Sequence, residues 1–174
     1  MHQYSYDRPR QYFQADLAYM TSFNLNFAPH QPEFCLVVVD GVSKKVYLRV
    51  TSKKTADKVL SSFKHIFEDI ERDDKTFIYL QTDQGGEFFN NKMKEWCCEQ
   101  NIVHFSSKNY GKAYLAELTI GRLKQLYQKL RKHGELQKNN WSFYIEDMEK
   151  KLNEKERVTS GIAPEDLDAD DAKG

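Results

Sequence analysis

The sequence predicts an α/β domain whose five-stranded mixed sheet has three antiparallel strands followed by two parallel strands, with helices flanking the sheet. Three strand-like segments occupy the first fifty residues and predict an antiparallel meander. A segment with helical periodicity then leads to a fourth strand, and such a crossover favours parallel pairing with a strand of the same sheet. Another helix and a fifth strand follow, before the chain ends in helical segments.

The first three strands differ in how far they are buried. Residues 11–20 mix aromatic and alternating apolar residues after an irregular lead-in over residues 1–10. Residues 33–40 are almost continuously apolar, which predicts a central strand buried on both faces. Residues 41–44 form a turn, and residues 45–50 alternate like a strand with one wetter face.

The middle of the chain predicts a helix between Ser52 or Thr55, either of which can cap it, and Ile70. Apolar residues recur there with a period of 3.6, which is typical of a helix packed on one side. A strand over residues 76–81 follows. A second helix is then expected from about Phe88.

The last third predicts a fifth strand over residues 101–105, a long helix over residues 112–133 and a final helix over residues 140–155. Gly134 is the predicted stop of the long helix. The apolar residues expected to bury its inner side are Leu115, Leu118, Leu123, Leu126 and Leu130.

Composition narrows the class of protein. The chain has 174 residues and three cysteines, two of them adjacent, which argues against a disulfide framework and for a reducing compartment. No apolar run is long enough to span a bilayer, and the N-terminus does not resemble a signal peptide. We expect one core over residues 11–164 and a disordered acidic tail over residues 165–174.

Charge is unevenly distributed although the formal net charge is zero. Residues 108–138 contain eight Lys or Arg against two Glu, whereas residues 139–174 contain five against ten Asp or Glu. Such a basic segment indicates either a polyanionic partner or simply the wet face of a helix.

Three acidic residues are candidates for chemistry. Asp16 lies in an apolar strand, where a carboxylate needs a partner or a cation. Asp83 stands at the end of the fourth strand before two glycines, and it either belongs to a site or only starts a turn. Glu117 lies in the first turns of the long helix. Three carboxylates in one small site require cations, and their oxygens favour Mg²⁺ or Mn²⁺. No histidine or cysteine belongs to this set, which argues against zinc.

These acids stand in a pattern that resembles a known family. Asp16, the run Thr82–Phe88 (Thr-Asp-Gln-Gly-Gly-Glu-Phe) and a helical Glu after 33 intervening residues resemble the catalytic core of retroviral and transposon integrases. The segments Val39–Lys44, Lys112–Glu117 and Ser160–Pro164 also resemble family motifs, in the same order. The likeness is greatest to integrases of large self-synthesising DNA transposons, and it implies a ribonuclease H-like fold.

The resemblance also implies roles for individual residues. The implied catalytic and metal-binding triad, which would hold two Mg²⁺ or Mn²⁺ ions, is Asp16, Asp83 and Glu117. The residues implied to contact DNA phosphates are Lys124 and, less directly, Lys112 and Arg122. Glu87 is read as structural. The segment Leu118–Arg122 departs from the aromatic and Asn that usually follow the helical Glu of the family.

Two functions from different classes therefore remain. The leading one is a nuclear polynucleotidyl transferase that processes DNA 3′ ends, transfers them to a target strand and works as a homodimer or higher oligomer. The alternative is a host-adopted, catalytically silent domain that acts as a dimerisation or binding module for protein or DNA, with a host protein as partner. An RNA-cleaving ribonuclease H fits the motifs less well. No membrane association is expected.

Overall fold

The computed structural model describes residues 9–23, 31–70, 78–106, 113–136 and 140–154. The described residues form one five-stranded sheet with helices on both faces. The predicted fold class is confirmed.

The sheet contains three antiparallel strands and two parallel ones. Their bounds are β1 Tyr12–Tyr19, β2 Phe34–Asp40, β3 Val46–Thr51, β4 Ile78–Thr82 and β5 Ile102–Ser106. The spatial order is β3-β2-β1-β4-β5, with β4 parallel to both β1 and β5. The β1–β4 register pairs Gln14 with Gln81. Each of these two residues lies two positions before a candidate acid, Asp16 in β1 and Asp83 just after β4.

Four α-helices cover the sheet. Their bounds are α1 Ala56–Asp69, α2 Asn91–Glu99, α3 Tyr114–Lys132 and α4 Ile145–Asn153. Short 3₁₀ turns lie at Thr21–Phe23, after β1, and at Trp141–Tyr144, before α4. None of the helices among these described residues is long and apolar enough to cross a membrane.

The two faces of the sheet form separate hydrophobic cores because side chains alternate along each strand. Phe13 and Ala15 of β1 pack with α1 and α2 on one face. Ala18 and Met20 pack with α3 and α4 on the other. Even-numbered residues of β1 therefore face α3, which places Asp16 on the same side as that helix.

The predicted start of α2 is wrong. The helix begins at Asn91, three residues after the expected Phe88, because the Asn90 side chain caps it by accepting a hydrogen bond from Met93 N at 3.0 Å. Phe89 therefore precedes the helix, and 41% of its surface is exposed. Phe88 points into the core instead.

The predicted inner side of α3 is also partly wrong. The residues that are buried there are Ala116, Thr119, Leu123, Tyr127 and Leu130, which follow one another at steps of three and four. Leu118 is exposed, and Leu115 and Leu126 are only partly buried. The first turns bury Ala116 and Thr119, two small residues that a count of hydrophobic side chains passes over in favour of leucines.

Helix ends follow the predicted chemistry in part. Gly134 has φ +71°, the left-handed conformation expected of a residue just past a helix. Thr55 occupies the N-cap position of α1 but makes no side-chain cap hydrogen bond. The final predicted helix is shorter than expected, since Trp141–Tyr144 form a 3₁₀ turn before α4.

Several predicted features lie outside the described residues. These are Lys112, the start of the fourth strand at residues 76–77, the Ser160–Pro164 motif, most of the lead-in and the acidic tail. They stay predictions, as does the domain boundary at residue 164.

Candidate active site

Asp16 lies on the α3 side of β1, opposite Val37 of β2. Its Oδ1 accepts a hydrogen bond from Leu17 N at 2.7 Å. The side chain is partly buried, and burial is the main cause that raises its pKa. A strand in the middle of the sheet holds this carboxylate rigidly.

Asp83 follows β4 directly and is exposed. Its Oδ1 accepts a hydrogen bond from Gly85 N at 2.9 Å, so the carboxylate closes a tight turn at the carboxyl end of the strand. Both alternatives considered for Asp83 are thus compatible, because one carboxylate oxygen holds the turn while the other is left for a ligand.

Glu117 lies in the first turn of α3 and is exposed. A negative side chain is favourable at this end of a helix because the unpaired backbone N–H groups carry partial positive charge. The third acid is therefore compatible with its helix position irrespective of any ligand.

The three carboxylates share one electrostatic environment. After burial, the negative charges of Asp83 and Glu117 further raise the pKa of Asp16, whereas Lys54 opposes them. Residues from β1, the β4 turn and α3 thus act on one another at the same end of the sheet. The structure brings the predicted triad into one region.

The carboxylate oxygens of Asp16, Asp83 and Glu117 are a donor set suited to divalent cations. Oxygen ligands from three carboxylates match the preference of Mg²⁺ and Mn²⁺, and a cation would stabilise the charged form of Asp16, whose pKa is raised by burial first and by Asp83 and Glu117 second. No three acidic, histidine or cysteine side chains stand close enough to enclose an ion in the part of the chain that the structure describes. Because like charges repel, closing three carboxylates onto one point requires a cation between them. The three carboxylates therefore have the ligand chemistry that Mg²⁺ and Mn²⁺ prefer. That they close around such an ion is a proposal.

Lys54 is a residue beside the candidate acids that the sequence analysis did not single out. Its Nζ lies 2.6 Å from Oε1 of Glu87, whose side chain is only 7% exposed. Glu87 is the main cause that raises the pKa of Lys54, and Asp83 and Asp16 add to it. The lysine therefore places a positive charge beside the acidic group. No sequence signal could have shown this, since the loop after β3 meets the β4 turn only in the folded chain.

Gln14 and Gln81 are a second feature that was missed. Both are buried amides in strands that are otherwise mostly apolar, and each lies two residues before a candidate acid. A signal did exist here, because a polar side chain inside a buried strand needs a hydrogen-bond partner.

His104 has a structural role at the end of β4. Its Nε2 hydrogen-bonds to Thr82 Oγ1 at 2.8 Å, and its ring stacks on Phe89 with 4.3 Å between centroids. Burial lowers its pKa to about 4, which keeps the ring neutral near pH 7. The histidine supports the end of β4 without adding charge.

The predicted DNA contacts lie on α3, except for Lys112, which is outside the described residues. Lys124 is half-buried. It lies seven residues after Glu117 and shares a helix face with it. Arg122 is exposed. Lys124 and Arg122 both follow Glu117 within two turns of α3.

With this geometry, the chain was compared with known proteins. No protein-family model and no curated protein sequence matches the chain. Among solved structures, the catalytic core domain of HTLV-2 integrase in complex with magnesium, in a trimeric form, has a TM-score of 0.70 at 20% identity. The match covers 92% of this chain and 97% of that one.

Two further structures agree. The core domain of BIV integrase has a TM-score of 0.65 at 17% identity, covering 90% of this chain and 92% of that one. The simian T-cell lymphotropic virus intasome in complex with PP2A regulatory subunit B56 gamma has a TM-score of 0.73 at 19% identity. That match covers 92% of this chain and 54% of the other.

The chain therefore has the ribonuclease H-like fold of retroviral integrase catalytic cores. Within that class, the particular likeness to integrases of DNA transposons stays a prediction from the motifs. At identities near 20%, the comparisons establish the fold, and chemistry must be argued from the residues.

Proposed function

We propose that this chain is the catalytic core of an integrase-type polynucleotidyl transferase that processes DNA 3′ ends and joins them to a target strand. The observation that carries the proposal is the placement of the three acids: Asp16 lies in β1, Asp83 directly follows the neighbouring parallel strand β4, and Glu117 lies in the first turn of α3, which packs on the face of the sheet that Asp16 shares. In an integrase-core fold, this end of the sheet is where ligands collect, at the carboxyl ends of parallel strands.

The three acids would hold two Mg²⁺ or Mn²⁺ ions, which when bound activate an attacking oxygen and stabilise a leaving one in phosphodiester chemistry. The protein residues have separate tasks. Asp16 is fixed by its strand, and the Gly85 N–H orients Asp83. Lys54 lies beside these carboxylates and would attract the phosphate backbone while offsetting acidic charge.

Lys124 and Arg122 would bind DNA phosphates next to Glu117, and Lys112 would join them at the start of the helix. A neutral chain has little general attraction for DNA, so a local basic group matters more here. The similar HTLV-2 cores are dimeric and trimeric, and the simian virus protein assembles into an intasome. A homodimer or higher oligomer that acts on nuclear DNA follows as part of the proposal.

The test is strand joining in Mn²⁺ between a labelled oligonucleotide with a free 3′-hydroxyl and a supercoiled plasmid. The parent should nick the plasmid and attach the label. Asp83→Asn and Glu117→Gln should lose at least about 100-fold in rate, since removal of a residue needed only in the transition state lowers kcat.

The matched control is Glu135→Gln, which neutralises an exposed acid beyond the other end of α3. It should retain the parental rate. Equal activity of the Asp83 and Glu117 variants with the parent would refute the proposal.

A second candidate is a catalytically silent integrase-like module. It is favoured by the absence of a three-ligand cluster among residues 9–154 as far as they are described, and by the zero net charge. Calorimetric titration with Mn²⁺, with and without a DNA duplex, separates the two. A stable dimer that binds no Mn²⁺ in either case would support the module and a host protein as its partner.

A further inference from the structure

The side chain of Gln14 connects three segments of the chain. Gln14 is a buried residue of β1, with 7% of its surface exposed, and it faces α3 on the same side of the strand as Asp16. Its Oε1 accepts a hydrogen bond from Leu115 N in the first turn of α3 at 2.7 Å. Since a backbone N–H only donates, the atom opposite it must be the amide oxygen.

This hydrogen bond compensates for a missing cap. The first N–H groups of a helix have no partner within the helix and need an acceptor. Ala113 occupies the N-cap position of α3 and makes no side-chain cap hydrogen bond. Gln14 therefore supplies the acceptor from the neighbouring strand and fixes the start of α3 to β1.

The other end of the same amide reaches β4. Gln14 Nε2 donates to Gln81 Oε1 at 3.1 Å and to the Tyr12 hydroxyl at 2.7 Å. The Tyr12 hydroxyl in turn donates to Gln81 Oε1. One buried amide thus ties β1, β4 and α3 together.

Each segment carries a candidate acid at the same offset. Asp16 lies two residues after Gln14, and Asp83 lies two residues after Gln81. Glu117 lies two residues after Leu115. The hydrogen bonds of Gln14, called the Gln14 tie below, therefore hold each of the three segments two residues away from a candidate carboxylate.

We propose that Gln14 is a positioning residue that sets the distance of Glu117 from the two strand-borne acids. The apolar packing of α3 on the sheet is non-directional and permits small slides of the helix. A directional hydrogen bond at 2.7 Å restricts such slides at the turn that carries Glu117. The inference rests on the proposed function only because it takes the three acids as metal ligands. The Gln14 hydrogen bonds do not depend on that function.

The first measurement is amide hydrogen exchange of Leu115 by NMR without metal. In the parent, Leu115 should be protected although it lies in a first helical turn. Gln14→Met, of similar shape but unable to accept the hydrogen bond, should speed that exchange by about fivefold or more, as expected for one buried hydrogen bond. Rapid exchange of Leu115 in the parent would overturn the tie whatever the variant does.

The matched control is Asn153→Leu. Asn153 is another buried amide. Its Oδ1 accepts a hydrogen bond from Val46 N and its Nδ2 donates to Val46 O, both at 2.8 Å, at the β3 edge of the sheet, two strands away from β1. The variant loses comparable hydrogen bonds and stability, but Leu115 exchange should stay at the parental rate. Acceleration in both variants would show general loosening and overturn the tie.

The second measurement is Mn²⁺ affinity by calorimetry and the split between kcat and KM for DNA. Gln14→Met should weaken Mn²⁺ binding by about 10- to 100-fold, the range for residues that orient metal ligands, and lower kcat at unchanged KM. Asn153→Leu should change neither. Unchanged affinity in Gln14→Met would overturn the positioning role. A parent that binds no Mn²⁺, with or without DNA, would refute the proposed function, and the Leu115 exchange would still decide the tie.

Discussion

Lys54 Nζ lies 2.6 Å from the buried carboxylate of Glu87, and this ion pair joins the loop after β3 to the turn after β4. No other hydrogen bond reaches Oε1 of Glu87 from the described residues. The lysine is half exposed, so the pair is worth less than a fully buried one, but its loss leaves a buried charge without compensation.

Lys54→Met should therefore lower the free energy of unfolding by about 1–2 kcal/mol, less than the cost of breaking a fully buried pair. Lys92→Met is the matched control, because its pair with Asp57 is exposed on both sides. It should cost less than about 0.5 kcal/mol. Urea unfolding of both variants measures the difference. The pair would be unimportant if the two variants were equally stable.

A double variant sharpens that test. Lys54→Met combined with Glu87→Gln removes both charges, and it should recover part of the stability lost in Lys54→Met alone. A double variant less stable than either single one would contradict the pairing.

Gly85 and Gly86 form a contrasting pair in the same turn. A Cβ on Gly85 would stand 2.4 Å from a carboxylate oxygen of Glu87, whereas a Cβ on Gly86 would meet nothing within 4 Å. Gly85→Ala must shift the buried Glu87 carboxylate that Lys54 holds, so it should destabilise the domain by about 1 kcal/mol, at the low end of the range for core crowding. Gly86→Ala should stay within about 0.5 kcal/mol of the parent. Equal melting temperatures in a thermal scan would contradict this account.

We expect Asp16 to lower the free energy of unfolding near pH 7 and to be required for strand joining. Its folded pKa is raised by burial first and by neighbouring acids second. A carboxyl group with a raised folded pKa stabilises the fold less as pH rises from its unfolded pKa through its folded one. Without metal, Asp16→Asn should therefore raise the free energy of unfolding near pH 7, on the order of 1 kcal/mol, while it abolishes strand joining.

The same linkage predicts a pH signature. The stability gap between Asp16→Asn and the parent should be greatest near neutrality and should shrink as pH falls from the raised folded pKa towards the unfolded pKa, below which Asp16 is protonated in both states. Urea unfolding in chelator-treated buffer between pH 4 and 7 measures it, with the pH values chosen around the usual carboxyl range of about 4. A gap that stayed constant with pH would contradict the desolvation of Asp16.

Lys124 should contribute one phosphate contact. Lys124→Met is expected to lower DNA affinity and to reduce the slope of log affinity against log salt by about one. Lys129→Met, an exposed lysine on a different side of α3, is the control and should keep the parental slope. Fluorescence anisotropy over a salt series measures both. Equal slopes for the two variants would remove Lys124 from the DNA contacts.

The amino-acid sequence by itself determined the order of the elements and the direction in which the strands pair. Apolar periodicity placed β2 inside the sheet, between two neighbouring strands, and predicted the crossover that makes β4 parallel to β1. The two strand-borne acids followed from the same signals, because Asp16 interrupts an apolar strand and Asp83 precedes two glycines. These signals are local patterns, which can be read directly from the sequence.

Only the tertiary structure decided which distant residues meet. The Lys54–Glu87 pair and the contact of Gln14 with Leu115 join residues 33 and 101 positions apart. The first turns of α3 bury Ala116 and Thr119 rather than Leu118, because the way the helix is placed on the sheet decides which residues face the core. Such contacts depend on how packed elements are placed in space, and periodicity carries no information about that placement.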